Sequence, residues 1–296
     1  KEGYDAEFSG AIPAASATVG PIFPPSIPMV IYAMLSGASI GKLFMGGMVP
    51  GVLLAILLMI YVAFISHKRN YPAGVVMSKR EFLKATLQAL PALFTVVILL
   101  GGIYSGICTP TEAVASAYAL IISALIYKTL GWKKLWGIIK KSAANTATLA
   151  LLCGTSMLFS YIISLEQVPR VVASLVMGIT DNKYIFLFIV NIVFLLLGCV
   201  LDVSTIQLVF VPMVLPLVQA MGIDLVHFGV VICLNMMIGL STPPFGMLLF
   251  IVSGLGKTKI KGVIREILPM VLIMIGLLFL VTYVPDIIMF IPNNFM

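Results

Sequence analysis

The chain has 296 residues, of which 61% are hydrophobic and only 10% charged, and its mean hydropathy is +1.15. Soluble domains carry about 25% charged residues, so this composition excludes a string of water-soluble domains and points to a membrane protein. The net charge of +7 does not mark a nucleic-acid binder, because no basic groove interleaved with aromatics is present.

The basic residues collect instead in three connectors, His67 to Lys84, Lys128 to Lys141 and Lys257 to Arg265, in the manner of cytoplasmic loops. Residue 1 is Lys rather than Met and no secretory signal is visible, so a processed or partial chain is expected. Residues 8–37 read as an apolar span broken at Gly20 to Ser26, and residues 46–66 as a second span. Residues 86–104 and 112–128 are two more, around the turn Tyr104 to Glu112. In that turn Thr109, Pro110 and Glu112 have the spacing of a helix-starting capping box, and Tyr104 reads as packing. A span at 143–164 and a weaker segment at 168–179 follow. Residues 184–220 hold two apolar arms of about 15 residues around Asp202-Val-Ser-Thr205, shorter than the ~20 needed to cross a bilayer. A second broken span covers 226–254, and a last span covers 267–289, giving nine apolar elements.

The two broken spans carry the same punctuation at a constant offset of 219 positions. Gly3, Asp5, Gly10, Gly20, Pro24, Pro25, Gly37, Lys42 and Pro50 recur as Gly222, Asp224, Gly229, Gly239, Pro243, Pro244, Gly256, Lys261 and Pro269. Proline inside a span removes a backbone donor and clashes with the preceding turn. In hydrocarbon the freed backbone groups are tolerated only where protein buries them or where they line a cavity. Matching breaks in two halves are a pointer to a transporter binding site. With the basic connectors on one face, parity threads the two broken spans in opposite directions, an inverted-topology repeat. The arms at 184–220 then enter and leave on the same face; a re-entrant hairpin fits, although two full crossings satisfy the same parity. By the same logic a first hairpin and some scaffold helices are expected upstream.

The candidate ligands follow from the breaks. Carbonyl and hydroxyl oxygens around Thr18, Gly20, Pro21 and Ser26, and around Gly239, Ser241, Thr242 and Pro243, are hard donors suited to Na⁺, and half-helix N-termini suit a carboxylate. Asp202, with Ser204 and Thr205 in the following turn, reads either as an N-cap or as an intramembrane carboxylate on an ion or substrate route. The other polar residues carry weaker readings. His67 and His227 are not spaced for a metal, Glu166 and Arg170 read as a solvated outer loop, and Asn145 and Asn235 as helix bridges. Trp132 and Trp136 read as interfacial anchors, and Cys108, Cys153, Cys199 and Cys233 as small buried hydrophobes without disulfide or transition-metal spacing.

The runs Gly3-Tyr-Asp, Ala15 to Tyr32, Gly101 to Ala113 and Gly239 to Gly246 closely resemble the large membrane subunit of TRAP (tripartite ATP-independent periplasmic) transporters, and the likeness runs from residue 3 to about residue 292. The resemblance implies an all-α polytopic protein of the bacterial inner membrane, an inverted-repeat elevator transporter with a re-entrant hairpin. It implies a Na⁺-driven symporter of organic anions such as dicarboxylates or sialic acid, with no covalent chemistry. The implied partners are a small four-helix membrane subunit, a periplasmic binding protein and the lipid bilayer. The family's first sodium site resembles Thr18 to Ser26, and its second the tip Asp202 to Thr205 with Gly239 to Pro243. The implied division is a first broken helix (1–45), scaffold and connecting helices (46–182), a second hairpin with its broken helix (183–256), and a C-terminal connector and scaffold helix (257–296). A binding-protein-independent Na⁺/carboxylate symporter, a channel and an intramembrane enzyme are the alternatives; the last would need a Ser/His, paired-Asp or His/Glu constellation that the sequence does not space.

Overall fold

The computed structural model describes residues 3–72, 78–105, 114–128, 130–167, 178 and 182–295. Among them are twelve bounded α-helices and no strand: α1 (Ala6–Ser16), α2 (Ile27–Ser36), α3 (Ile40–Lys68), α4 (Lys79–Tyr104), α5 (Val114–Leu125), α6 (Trp132–Leu165), α7 (Lys183–Val200), α8 (Val203–Ala220), α9 (Leu225–Ser241), α10 (Met247–Gly256), α11 (Ile260–Tyr283) and α12 (Asp286–Phe295). Helices α3, α4, α6, α7, α8 and α11 are long and apolar enough to cross a membrane. The all-α polytopic class is as expected. The Thr109–Glu112 turn, the segment 168–179, Arg170 and Cys108 lie outside the described residues, apart from a helical Gly178.

Several element limits differ from the expected ones. Helix α4 starts at Lys79, where Glu81 accepts from the Ser78 N–H at 3.0 Å, and α6 starts at Trp132, so the later parts of two stretches read as basic connectors are helix. Lys and Arg are good helix formers, and charge alone does not end a helix. The hairpin arms α7 and α8 have 18 residues each, not about 15. The last span starts at Ile260 and stops before Pro285, with α12 as a separate short helix.

The chain divides into two compact units, residues 1–72 with 156–296, and residues 73–155. In the smaller unit α4 packs on α5, and the Tyr127 hydroxyl donates to the Gln88 carbonyl at 2.7 Å. Its apolar side chains face outward, Leu87 at 59% and Val97 at 60% exposure, as lipid-facing helices require.

In the larger unit the sequence repeat is a structural repeat. Asp5 precedes α1 as Asp224 precedes α9; a break separates α1 from α2 as one separates α9 from α10; a span, α3 or α11, follows with its proline inside. The contacts fix the directions. Glu7 lies at Gly262, and the Thr18 hydroxyl reaches Met274, so α1 runs parallel to α11. His227 near the α9 start contacts Val281 near the α11 end, so α9 runs against α11 and therefore against α1. The two broken helices are inverted, as parity predicts.

The chain's two ends of traffic are equally clear. Arg69 after α3 bonds Asp5 at 3.2 Å and Glu266 at 2.8 Å, which brings the start of the first basic connector and the neighbourhood of the third to one face of this unit. The hairpin base lies at the other, where Lys183, Gly222 and Asp224 share a pocket with Thr282 and Pro285. Both arms thus begin and end on one face, while the tip is level with the second break, where the Cys199 thiol meets the Pro243 carbonyl at 3.8 Å. Length alone would let each arm cross; a tip level with the second break fits the re-entrant hairpin.

Glycine sets the closest approach around the first break. A Cβ on Gly47 of α3 would lie 2.5 Å from the Ile22 carbonyl oxygen, a backbone atom that cannot retreat cheaply, whereas one on Gly254 of α10 would meet nothing within 4 Å. Gly47→Ala is therefore expected to destabilise by about 1–3 kcal/mol and Gly254→Ala to be neutral or stabilising by up to about 1 kcal/mol. Thermal unfolding of the two variants in one detergent reads the opposite signs; equal shifts would refute the packing described.

Candidate functional site

The first break covers residues 17–26, and the Pro24-Pro25 bond in it is cis, as is Pro243-Pro244 in the second. Thr18 is fully buried; its hydroxyl donates to the Ala15 carbonyl at 2.7 Å and contacts Met274 Sδ at 3.5 Å. Ser26 caps α2: its oxygen accepts from the Met29 N–H at 3.3 Å while its hydroxyl donates back to the Pro21 carbonyl. Gly20 is exposed and Pro21 half-buried. Thr18 thus leans on α11, and Ser26 stands at the far side of the same loop.

In the second break Ser241 and Thr242 both donate to the Ile238 carbonyl, at 2.9 and 2.7 Å. Hydroxyls that donate to a free carbonyl keep lone pairs available to a cation. The repeat breaks down here: the counterpart of Ser26 is Phe245, and Gly246 gives α10 no side-chain cap. The first N–H groups of α10 therefore lack the side-chain acceptor that α2 has.

The hairpin tip holds Asp202. Its carboxylate accepts from the Ser204 N–H at 2.9 Å, the Thr205 N–H at 3.2 Å and the Thr205 hydroxyl. It is an N-cap, and with about four acceptor positions on a carboxylate one remains unused. Immediately before the tip α7 and α9 touch backbone to backbone: a Cβ on Gly239 would lie 2.6 Å from Gly198 Cα. Gly198 and Cys199, which precede Asp202 by four and three positions, thus lie against Gly239 and Pro243 of the second break.

Sequence reasoning passed over Gln207, which joins the hairpin to α2, the helix that follows the first break. It is fully buried in α8; its Nε2 donates to the Pro28 carbonyl of α2 at 3.0 Å and contacts Cys233 Sγ at 3.4 Å, leaving Oε1 without a partner. A glutamine in an apolar arm, five positions after an intramembrane aspartate, was the available signal. Asn191 was also passed over. It donates to Thr282 Oγ1 at 3.0 Å and accepts from Asn235 Nδ2 at 2.9 Å, which pins the hairpin to α9 and α11. Asn235 is thus the helix bridge expected of it. His227 is buried, with Nε2 2.9 Å from the Val281 carbonyl. Trp132 and Trp136 are exposed, and of the cysteines Cys199 and Cys233 are buried while Cys153 is only half-buried on α6, a departure from its reading as a buried hydrophobe.

Two inverted broken helices, with a helical hairpin packed on α2 and on the second break, define a membrane permease of the inverted-repeat class. The family model described as "Tripartite ATP-independent periplasmic transporter, DctM component" matches residues 1–287. The sialic acid TRAP transporter large permease protein SiaM of Vibrio cholerae is 39% identical over 295 residues, covering 99% of this chain and 69% of its own length. The C4-dicarboxylate TRAP transporter large permease protein DctM of Pseudomonas aeruginosa is 37% identical over 295 residues, with 99% and 69% covered. The isethionate TRAP transporter permease protein DctMQ of Oleidesulfovibrio alaskensis is 38% identical over 293 residues, with 98% and 46% covered. The chain belongs to the TRAP transporter large permease family, and it is a multi-pass protein of the inner membrane.

The cap and the charge of Asp202 can be separated. Asn caps helices as well as Asp, whereas Ala loses the cap at about 1 kcal/mol. In detergent melts Asp202→Asn is expected to stay within about 0.5 kcal/mol of the parent and Asp202→Ala to fall by about 1 kcal/mol. Equal losses would show that the tip depends on the charge and not on the cap.

Proposed function

We propose that this chain is the transport subunit of a Na⁺-coupled symporter that imports an organic anion by an elevator movement. The observation that carries the reading is that one hairpin touches the second break, through Cys199 at Pro243, and the helix that leaves the first break, through Gln207 at Pro28 in α2. A coupled transporter needs its ion and substrate ligands on one movable body, and these contacts support a single body that carries the candidates of both repeats. In this reading Thr18, Gly20, Pro21 and Ser26 serve a first Na⁺, and Asp202, Ser204 and Thr205 with Gly239, Ser241, Thr242 and Pro243 serve a second. Na⁺ is the co-transported ion and not a resident cofactor. Small hard oxygen donors, one carboxylate and the carbonyls released at the breaks suit that ion. The uncapped start of α10 suits an anionic group of the substrate.

The names of the relatives supply the substrate class: sialic acid, C4-dicarboxylate and isethionate are all small organic anions. The family description, a tripartite periplasmic transporter, supports two partners, a small four-helix membrane subunit and a periplasmic binding protein that delivers the anion. The reading calls for binding and movement only, with no covalent step.

Reconstitution into proteoliposomes with both partners tests it. Uptake is expected to require an inward Na⁺ gradient and the binding protein, and Ser26→Ala or Asp202→Asn to reduce the initial rate at least tenfold. Uptake indifferent to Na⁺ would overturn the coupling. Full activity of both variants would overturn the site, and uptake without binding protein would favour the binding-protein-independent symporter.

A further inference from the structure

The smaller unit carries a groove that transport does not explain. It lies between the first half of α4 and the end of α5, has a volume of about 750 Å³, and is lined by Arg80, Leu83, Lys84, Leu87, Pro91 and Ile126. The residues are ordered by polarity along one stripe of α4. Arg80 and Lys84 are one turn apart and share a face, followed by Leu87 and Pro91 on the same face. The stripe is about 16 Å long at 1.5 Å per residue. Neither cation has a carboxylate partner among the described residues; the nearby acid, Glu81, is engaged by the Ser78 N–H. The apolar part is bare, with Leu83 and Leu87 each 59% and Ile126 58% exposed.

Position decides what fits. The Tyr127 hydroxyl, donating to the Gln88 carbonyl, closes the groove where cationic lining gives way to apolar. Tyrosine and tryptophan gather at the membrane–water boundary, and Trp132 follows five residues on. The two cations therefore stand at headgroup depth, and the leucines below them at acyl-chain depth. A soluble anion would use the cations and leave the apolar stripe in contact with nothing it prefers. A neutral lipid would use the stripe and leave two charges unpaired. Basic pockets between membrane helices take the headgroups of anionic lipids.

We propose that this groove binds one anionic phospholipid, its phosphate between Arg80 and Lys84 and an acyl chain along Leu83, Leu87 and Ile126. The site is independent of the transport reading. The test is native mass spectrometry of the purified protein, delipidated in detergent and offered phosphatidylglycerol or phosphatidylcholine. The parent is expected to retain one phosphatidylglycerol in preference to phosphatidylcholine. A basic residue near the surface contributes roughly a fivefold factor, so Arg80→Gln with Lys84→Gln should weaken that retention about twenty-fivefold. Leu87→Trp, which keeps both charges and fills the groove, should abolish retention too. Unchanged retention in either variant would overturn the proposal, as would displacement of the lipid by millimolar inorganic phosphate, since a phosphate-only site needs no acyl chain.

Discussion

A peptide carbonyl released from its helix inside a membrane has no water to turn to, and this constraint shapes the whole larger unit. The two proline pairs release such groups once in each repeat, and the chain meets the cost locally before it does anything else. Thr18 covers Ala15, Ser26 covers Pro21, and Ser241 and Thr242 share Ile238. The short hydroxyl residues that make each break tolerable are the same ones that the proposed function assigns to a cation.

The second constraint is closeness. Breaks become a site only when something polar reaches them, and the hairpin does so because glycines remove the side chains that would hold it away. Gly198 and Gly239 let α7 and α9 touch through their backbones, in the way that small residues bring membrane helices together. Asn191, bonded to Asn235 and Thr282, then fixes the register of that contact. The two repeats are not interchangeable in chemistry. The first break ends on a serine cap and the second on Gly246 without one, so one half-helix start is already occupied and the other is open.

Much of this was legible in the residues. The 219-residue repeat located both breaks and their inverted threading, because glycine and proline act on the backbone directly and need no partner to do so. Asp202, Ser204 and Thr205 were legible as a helix start for the same reason. The helix starts at Lys79 and Trp132 were not, since charge marks where a chain meets water and not where its hydrogen bonding stops. The arm length could not favour a hairpin over two crossings; the contact of Cys199 with Pro243, which sets the tip level with the second break, does. Gln207 and Asn191 were hidden by their apolar neighbours, and their roles depend on residues more than forty positions away.

The backbone seam at Gly198 and Gly239 has a mechanical corollary. On that side the hairpin cannot slip without parting two main chains, which forfeits many dispersion contacts together. On the α2 side its polar tie is the amide of Gln207, a bond of about 1 kcal/mol among side chains that can slide. Stress on this body is therefore expected to yield first along the α2 edge, while the seam at Gly198 and Gly239 holds.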